Sequence, residues 1–559
     1  MPEADDAQQE RILAAIDVGT NSIHMVIVLV QPRLASFTII AREKQMVRLG
    51  EYCLKTGWLK PEAMARALDA LRHCKAFAEG LGAQEIIAVA TSAVREAPNG
   101  PEFLQQIQRV VGLRVDLISG EEEARRIYLG VLSAVELDNR SHVVIDIGGG
   151  STELILGDGH EPRFLTSIKA GAVRLSEQFV TSDPISTRDY NCLQNQVRNL
   201  LEPAIDALHS QGSFERLVGT SGTIMTLAEM DARQTGNVPT SLQGYTLTLA
   251  SLEQLLAQLR PLDLEARRRL PGVSERRADI IVAGAAILLE AMKLLKVESL
   301  VVCEAALREG LIVDWMLAHG LIADRLRYQG SVRERSVLHL ADKFHLDYAH
   351  AEQVSRLALS LFDQTRGALH HWSGADRELL WAAAMLHNCG HFINHSAHHK
   401  HSYYLIRHGG MLGFTEEEIE VIANLARYHR KSAPRRKHLP FQQLSKEHKR
   451  LVRQLSIFLR LASALDRRHK GAVQAVRCQV RPDQVELHLQ PHDPADPCDL
   501  ELWNAEYKKA EFEQEFGRVL TISLEPAIRD AFPLLAVPAG DSRPEAGLGE
   551  RTPAAGSRR

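Results

Sequence analysis

At 559 residues the chain exceeds what one hydrophobic core can hold, and about three or four domains are expected. Apolar residues make up 45% and charged residues 24%, as in water-soluble globular proteins, and a net charge of −4 gives no whole-chain attraction to nucleic acid or other polyanions. The longest apolar run, Ile280 to Met292, is too short to span a bilayer and contains Glu290, so no membrane partner is expected. Seven cysteines without metal-type pairing and a polar, acidic start fit a cytoplasmic protein.

In chain order, Ile12 to about Thr38 reads as successive strands, interrupted by Asp17-Val18-Gly19-Thr20-Asn21-Ser22. Pro61 to Gly80 is an amphipathic helix with Pro in its first turn. Ile86 to Ala90 is a buried strand, Pro101 to Val111 a helix and Arg114 to Ile118 a strand. Ser119 with Glu122 three residues on matches a capping box, opening a helix to about Val131. Capping and the helix dipole account for Glu121 and Glu122 and leave Glu123 unexplained.

A second Gly-rich turn follows. Val143 to Ile145 leads into Asp146-Ile147-Gly148-Gly149-Gly150-Ser151-Thr152-Glu153, and Leu154 to Leu156 leads away. Three glycines let the backbone approach a ligand and aim several N–H groups at one point, which suits phosphate. Asp146 and Glu153 would repel phosphate unless a cation sat between, and carboxylate with phosphate oxygens is a usual Mg²⁺ shell. Both turns read Asp, apolar, Gly, two small or polar residues, Ser. The repeat implies two similar halves across a cleft. Farther on, Ser186 to Leu208 is a helix, Gly219-Thr220-Ser221-Gly222-Thr223 a third turn, Arg276 to Leu295 a helix, Leu300 to Cys303 a strand and Ala306 to Leu317 a helix.

The two turns resemble the phosphate motifs of the actin-like, sugar-kinase and Hsp70 superfamily. In the forms Gly-Thr-Asn-Ser-Ile-His-Met and Asp-Ile-Gly-Gly-Gly-Ser-Thr-Glu, they resemble the exopolyphosphatase/guanosine-pentaphosphatase family. The resemblance implies an α/β fold of two actin-like, ribonuclease H-like domains at 11–135 and 136–319. An all-α HD-like domain at 320–470, a small C-terminal β-rich domain at 471–535 and a disordered tail at 536–559 follow. It implies Glu123, directly before Ala124, as the catalytic base, with Mg²⁺ on Asp146 and Glu153. It places phosphates on Asn21, Ser22, Arg95, Gly148, Gly149, Gly150, Ser151 and Gly222. It also suggests a homodimer. Where the family has Asp-Gly before Ala-Leu-Arg-Glu-Gly, this chain has Glu304-Ala305.

In the helical region, His350 fits the first metal-ligand position of an HD-type domain. Asn388 and Ser463 stand where carboxylate ligands would be, so the expectation is a retained fold without its metal. Asp466, a turn beyond Ser463, is not expected to compensate. His387 and His391 would share a helix face, yet without nearby Cys or Asp the cluster His387 to His401 is read as helix caps and a polar groove.

Arg427 to Lys470 holds fourteen Lys or Arg against Glu447 and Asp466, a formal +12. One-sign clustering predicts a polyanion track, centred on Arg430, Lys431, Arg435, Arg436 and Lys437. Tyr428, Phe441 and Phe458 are too few for base stacking, so polyphosphate is expected there and nucleic acid is not. The expected activity is release of terminal phosphate from inorganic polyphosphate. Guanosine pentaphosphate is the alternative substrate, and a non-catalytic sensor of either ranks below both.

Overall fold

The computed structural model describes residues 9–524 apart from 52–56, 138, 139, 161, 237 and 323–331. The tail expected at 536–559 lies outside the described residues.

Sheet one contains β1 (Arg11–Val18), β2 (Ser22–Gln31), β3 (Ser36–Met46), β4 (Glu85–Ala90) and β5 (Asp116–Leu117), in the order β3-β2-β1-β4-β5. Sheet two contains β6 (His142–Ile147), β7 (Thr152–Gly157), β8 (Phe164–Ile168), β9 (Arg216–Thr220), β10 (Thr246–Thr248) and β11 (Ser299–Val302), in the order β10-β11-β9-β6-β7-β8. In each, three antiparallel strands run outward from the first, and the next strand pairs with the first in parallel. The internal repeat of the sequence is thus a repeat of topology, and the two halves have the actin-like fold.

Alternation along β1 explains how the sheet is covered on both faces. Ala14, Ile16 and Val18 pack with α1 (Pro61–Gly80) and α3 (Gly100–Val111), with the short α2 (Ser92–Glu96) beside them. Leu13 and Ala15 face the other way, toward α4 (Gly120–Leu132) and α9 (Leu307–Ala318). That same cluster contains Val144, Ile155 and Val218 of sheet two, so α4 and α9 are packed between the two sheets. The far face of sheet two is covered by α6 (Thr187–Ser210), α7 (Gly222–Gln234) and α8 (Ile281–Leu295), and α5 (Ala172–Phe179) contributes Leu175.

The helical region includes α10 (Tyr348–Thr365), α11 (Gly374–Leu386), α12 (His398–Arg407), α13 (Glu416–Arg427) and α14 (Lys446–Leu465). It is followed by β12 (Val473–Val480), β13 (Gln484–Pro491), α15 (Asp499–Phe516) and β14 (Val519–Leu524). Val473, Val485, Leu487 and Leu520 of this last sheet share one core with the helices. Arg333 fastens the region to the second half through Glu136, and also holds Glu378 and Glu418. His339 fastens it to sheet one, bonding Thr38 at 3.0 Å and Gln31 at 2.6 Å. Among the described residues no helix is long and apolar enough to cross a membrane.

Candidate active site

The two turns adopt one geometry. Gly19 N–H donates to Ser22 O at 3.2 Å, and Gly148 N–H donates to Ser151 O at 2.9 Å. Asp17 pairs across the strands with His24, and Asp146 pairs with Glu153. The turns meet face to face: a Cβ on Gly150 would lie 2.8 Å from Thr20 Oγ1 and 2.4 Å from Ser92 Oγ. The carbonyls of Gly148 and Gly149 point the other way, accepting bonds from Ala172 and Val173 at the start of α5, both at 2.9 Å. Because the Gly148 N–H closes its own turn, Gly149, Gly150 and Ser151 are left to supply N–H donors to a ligand.

Between the turns lies a cleft of about 140 Å³. Asn21, Ser22, Glu123, Asp146, Gly148 to Ser151 and Gly222 all line it, as expected from the sequence. Arg95 and Glu153 are not among its lining residues. Arg95 Nη1 donates to Glu123 Oε2 at 3.0 Å and to the Ile118 carbonyl at 2.9 Å, so this arginine holds the proposed base. Glu153 accepts from Ser167 Oγ at 2.7 Å and stands behind Asp146 on the neighbouring strand.

Glu123, Asp146 and Glu153 are 8%, 7% and 1% exposed, and Asp17 joins them as a fourth acid. Burial, then repulsion from Glu153, pushes the Glu123 carboxyl well above the usual range despite Arg95. Burial, then Glu123 and Asp17, raises Asp146 to about 7. Burial, then Asp146, raises Glu153 to about 7. Asp17 is raised to about 6, chiefly by burial, and its Oδ1 has no hydrogen-bond partner among the described residues. Crowded acids and an orphaned carboxylate oxygen suit a hard divalent cation.

The other end of the cleft is cationic, and sequence reading missed this half. Arg277 and Arg308 both act on Asp146, and both line the cleft. Burial, then Arg277 and Arg308, lowers Lys44 to about 7. The helix expected from Arg276 begins at Ile281, so Arg277 sits in the preceding turn. Its guanidinium lies on Gly222, where a Cβ would come within 1.7 Å of Nη2. The small residue after Ser221 was the available signal: glycine there makes room for a large group.

The helical region departs from expectation at two points. His387 follows the end of α11, and His391 lies in a separate 3-10 turn, Cys389–Phe392, so the two share no helix face. Asp466 is buried and bonds His350 Nδ1 at 2.7 Å, a hydrogen bond between two side chains. The +12 stretch is also partly neutralised. Arg460 pairs with Glu511, Arg453 with Glu515, and Arg468 with Asp496 and Glu501. Arg435, Arg436 and Lys437 are exposed, and no acidic partner for them is seen among the described residues.

The model of the Ppx/GppA phosphatase family matches residues 26–319, and that of the Ppx/GppA phosphatase domain III matches residues 332–509. The chain is 31% identical over 498 residues to a protein of Vibrio vulnificus named guanosine-5'-triphosphate,3'-diphosphate pyrophosphatase, covering 88% of this chain and 95% of that one. A protein of the same name from Photobacterium profundum is 31% identical over 421 residues, covering 75% and 80%. The crystal structure of an exopolyphosphatase from Cytophaga hutchinsonii superposes with a TM-score of 0.52 at 30% identity, covering 56% of this chain and 98% of its own. With matched segments spanning both halves and the helical region, and with paired phosphate turns around buried acids, the chain belongs to the Ppx/GppA phosphatase family, hydrolases of phosphoric anhydrides.

Proposed function

We propose that this protein is a guanosine pentaphosphate 5′-phosphohydrolase, removing the terminal phosphate of the triphosphate arm. One observation carries the choice over inorganic polyphosphate. The likeness to the Vibrio pyrophosphatase runs through 88% of the chain, helical region included, whereas the likeness to the exopolyphosphatase structure covers 56%. This reverses the order expected from the basic stretch. The pairing of Arg460, Arg453 and Arg468 with acids weakens the track that had favoured a long chain.

In this reading Glu123 orients and deprotonates a water in line with the terminal phosphorus. Arg95 fixes its carboxylate at 3.0 Å. Asn21, Ser22, Ser151, Gly222 and the N–H groups of Gly149 to Ser151 hold the phosphoryl oxygens. Arg277 and Arg308, which line the cleft, take the charge of the remaining phosphates. Asp17, Asp146 and Glu153 would hold Mg²⁺, which when bound neutralises charge developing on the phosphoryl oxygens.

The test is direct competition between substrates. Phosphate release from guanosine pentaphosphate is expected to exceed that from long-chain polyphosphate by at least about tenfold in kcat/KM, or roughly 1.4 kcal/mol of transition-state stabilisation. Equal or inverted ratios would return polyphosphate to first place.

The raised acids set the pH dependence. A base must be deprotonated, and burial with repulsion from Glu153 holds Glu123 above its ordinary range, so turnover is expected to rise with pH at values above the usual carboxylate range. Asp146 and Glu153, held at about 7, bind protons in competition with a cation, so the Mg²⁺ requirement is expected to increase as pH falls below that value. A flat profile for both quantities between about pH 6 and pH 8 contradicts the crowded-acid arrangement.

Polyphosphate stays a second substrate because Arg435, Arg436 and Lys437 are exposed and one-signed. Reversing all three to Glu is expected to raise the KM for long chains several-fold at low salt and to leave guanosine pentaphosphate hydrolysis within about twofold. Steady-state kinetics on both substrates at two salt concentrations measures it. An unchanged long-chain KM would remove the track.

A further inference from the structure

Far along the chain from the two Gly turns, the helical region brings ligand atoms of His391, His395 and His398 within 4.8 Å of one another, and His429 Nε2 within 3.3 Å of His398. His391 belongs to the 3-10 turn, His395 to the following loop, His398 to α12, and His429 lies just past α13. We propose that His391, His395, His398 and His429 form a binding site for one divalent transition-metal ion of the zinc class, separate from the phosphate cleft.

Two distances carry the argument. His398 Nε2 and His429 Nε2 are 3.3 Å apart, and His391 Nδ1 and His395 Nδ1 are 3.1 Å apart. Tetrahedral zinc with Zn–N bonds of ~2.0–2.1 Å sets neighbouring nitrogens about 3.3 Å apart. Ligand atoms of His391, His395 and His398 all lie within 4.8 Å of one another, close enough for side-chain rotation to complete the shell.

Hydrogen bonding fixes which nitrogen is bare. His429 Nδ1 lies 2.6 Å from the Ala426 carbonyl and donates to it, leaving Nε2 with a lone pair. His398 Nδ1 lies 3.1 Å from the His395 carbonyl, with the same consequence. Carbonyl contacts of this kind orient metal-ligating imidazoles. Two bare lone pairs facing each other across 3.3 Å in a buried setting repel, and a shared cation removes the repulsion. Next to them His387 Nε2 is buried with no partner among the described residues, its ring centroid 4.9 Å from that of His429.

The donor set selects the metal. Four imidazoles and no carboxylate suit zinc, nickel, copper or cobalt and do not suit Mg²⁺. One nitrogen of Arg430 lies 3.1 and 3.3 Å from the two ring nitrogens of His398. With Nδ1 protonated, the Arg430 N–H competes with the metal ion for the one lone pair of His398, at Nε2, and must give way when the ion binds. His391 and His395 are exposed while His398 and His429 are buried, so the ion would fasten a surface turn to two packed helices.

The experiment uses the full-length protein without a histidine tag, stripped with a chelator and then titrated with Zn²⁺ against a chromophoric competitor. One equivalent is expected to bind, and Co²⁺ in its place is expected to give the visible bands of a tetrahedral nitrogen shell. His391→Ala with His395→Ala, both exposed, is expected to lose about a hundredfold or more in Zn²⁺ affinity. That double variant is expected to keep its far-ultraviolet circular dichroism and, with saturating Mg²⁺, its phosphate release within about twofold. No stoichiometric Zn²⁺ on the parent protein, or unchanged affinity in the double variant, overturns the site and leaves a proton shared between His398 and His429. Phosphate release that falls with metal occupancy overturns its separation from the cleft.

Discussion

Replacing Glu123 with Gln is expected to lower phosphate release by roughly 10²–10⁴-fold and to leave substrate affinity nearly intact, the range set by loss of a positioned proton acceptor. The amide keeps the shape of the side chain and an oxygen for Arg95, so binding groups stay in place. What it removes is the only chemistry assigned to that position. Single-turnover rates and equilibrium binding measured on the same preparation separate the two effects. Glu122→Gln is the matched control. Glu122 carries no reacting atom in this account; its carboxylate holds Arg125 and Arg126 at 2.7 Å, and its N–H is capped by Ser119. Normal turnover in Glu123→Gln would remove it from the role of base, and an equal loss in Glu122→Gln would move suspicion one residue back.

Asp146→Asn and Glu153→Gln are each expected to raise the Mg²⁺ concentration for half-maximal activity by roughly 10- to 100-fold, the usual loss when a metal-site carboxylate or its direct support is neutralised. The same substitutions relieve repulsion. With no cation present, Asp146 and Glu153 face each other across two strands, each raised to about 7 by burial and by the other acids. Neutralising one removes a like-charge neighbour from a buried group. Melting temperature without Mg²⁺ is therefore expected to rise as Mg²⁺ dependence worsens. Calorimetry with and without the ion, alongside the kinetic titration, tests both signs. An unchanged Mg²⁺ requirement in both variants excludes these carboxylates as the cation site.

Local chemistry was legible in the sequence where it sits in one short stretch. The two Gly turns announced themselves because their glycines and acids are flanked by apolar runs, and those runs lie within the observed strands. Glu123 needed the family resemblance, since capping already accounted for its neighbours. Arg277 and Arg308 were illegible because their meaning is convergence: they lie apart in sequence and both line the cleft. Charge counting failed for the same reason. Arg427 to Lys470 looks one-signed as a string, but α15 folds back and brings Glu501, Glu511 and Glu515 against it. The shared face of His387 and His391 was misread because helical spacing was assumed between them, while the helix ends at Leu386 before Asn388 and Gly390.

The crossing of α4 and α9 bears on how the cleft breathes. A Cβ on Gly130 would meet the Ala306 carbonyl at 2.0 Å, and one on Gly310 would meet the Arg126 carbonyl at 1.7 Å, so the two helices touch backbone to backbone between the sheets. A contact that close resists sliding and permits rotation, as an axle does. Glu123 stands about two helical turns from Gly130, and Arg308 is two residues from Gly310. Both ride near the axle and sweep short arcs. Thr20 and Gly150 belong to opposite halves, so a rotation about that contact would change the gap between the two Gly turns.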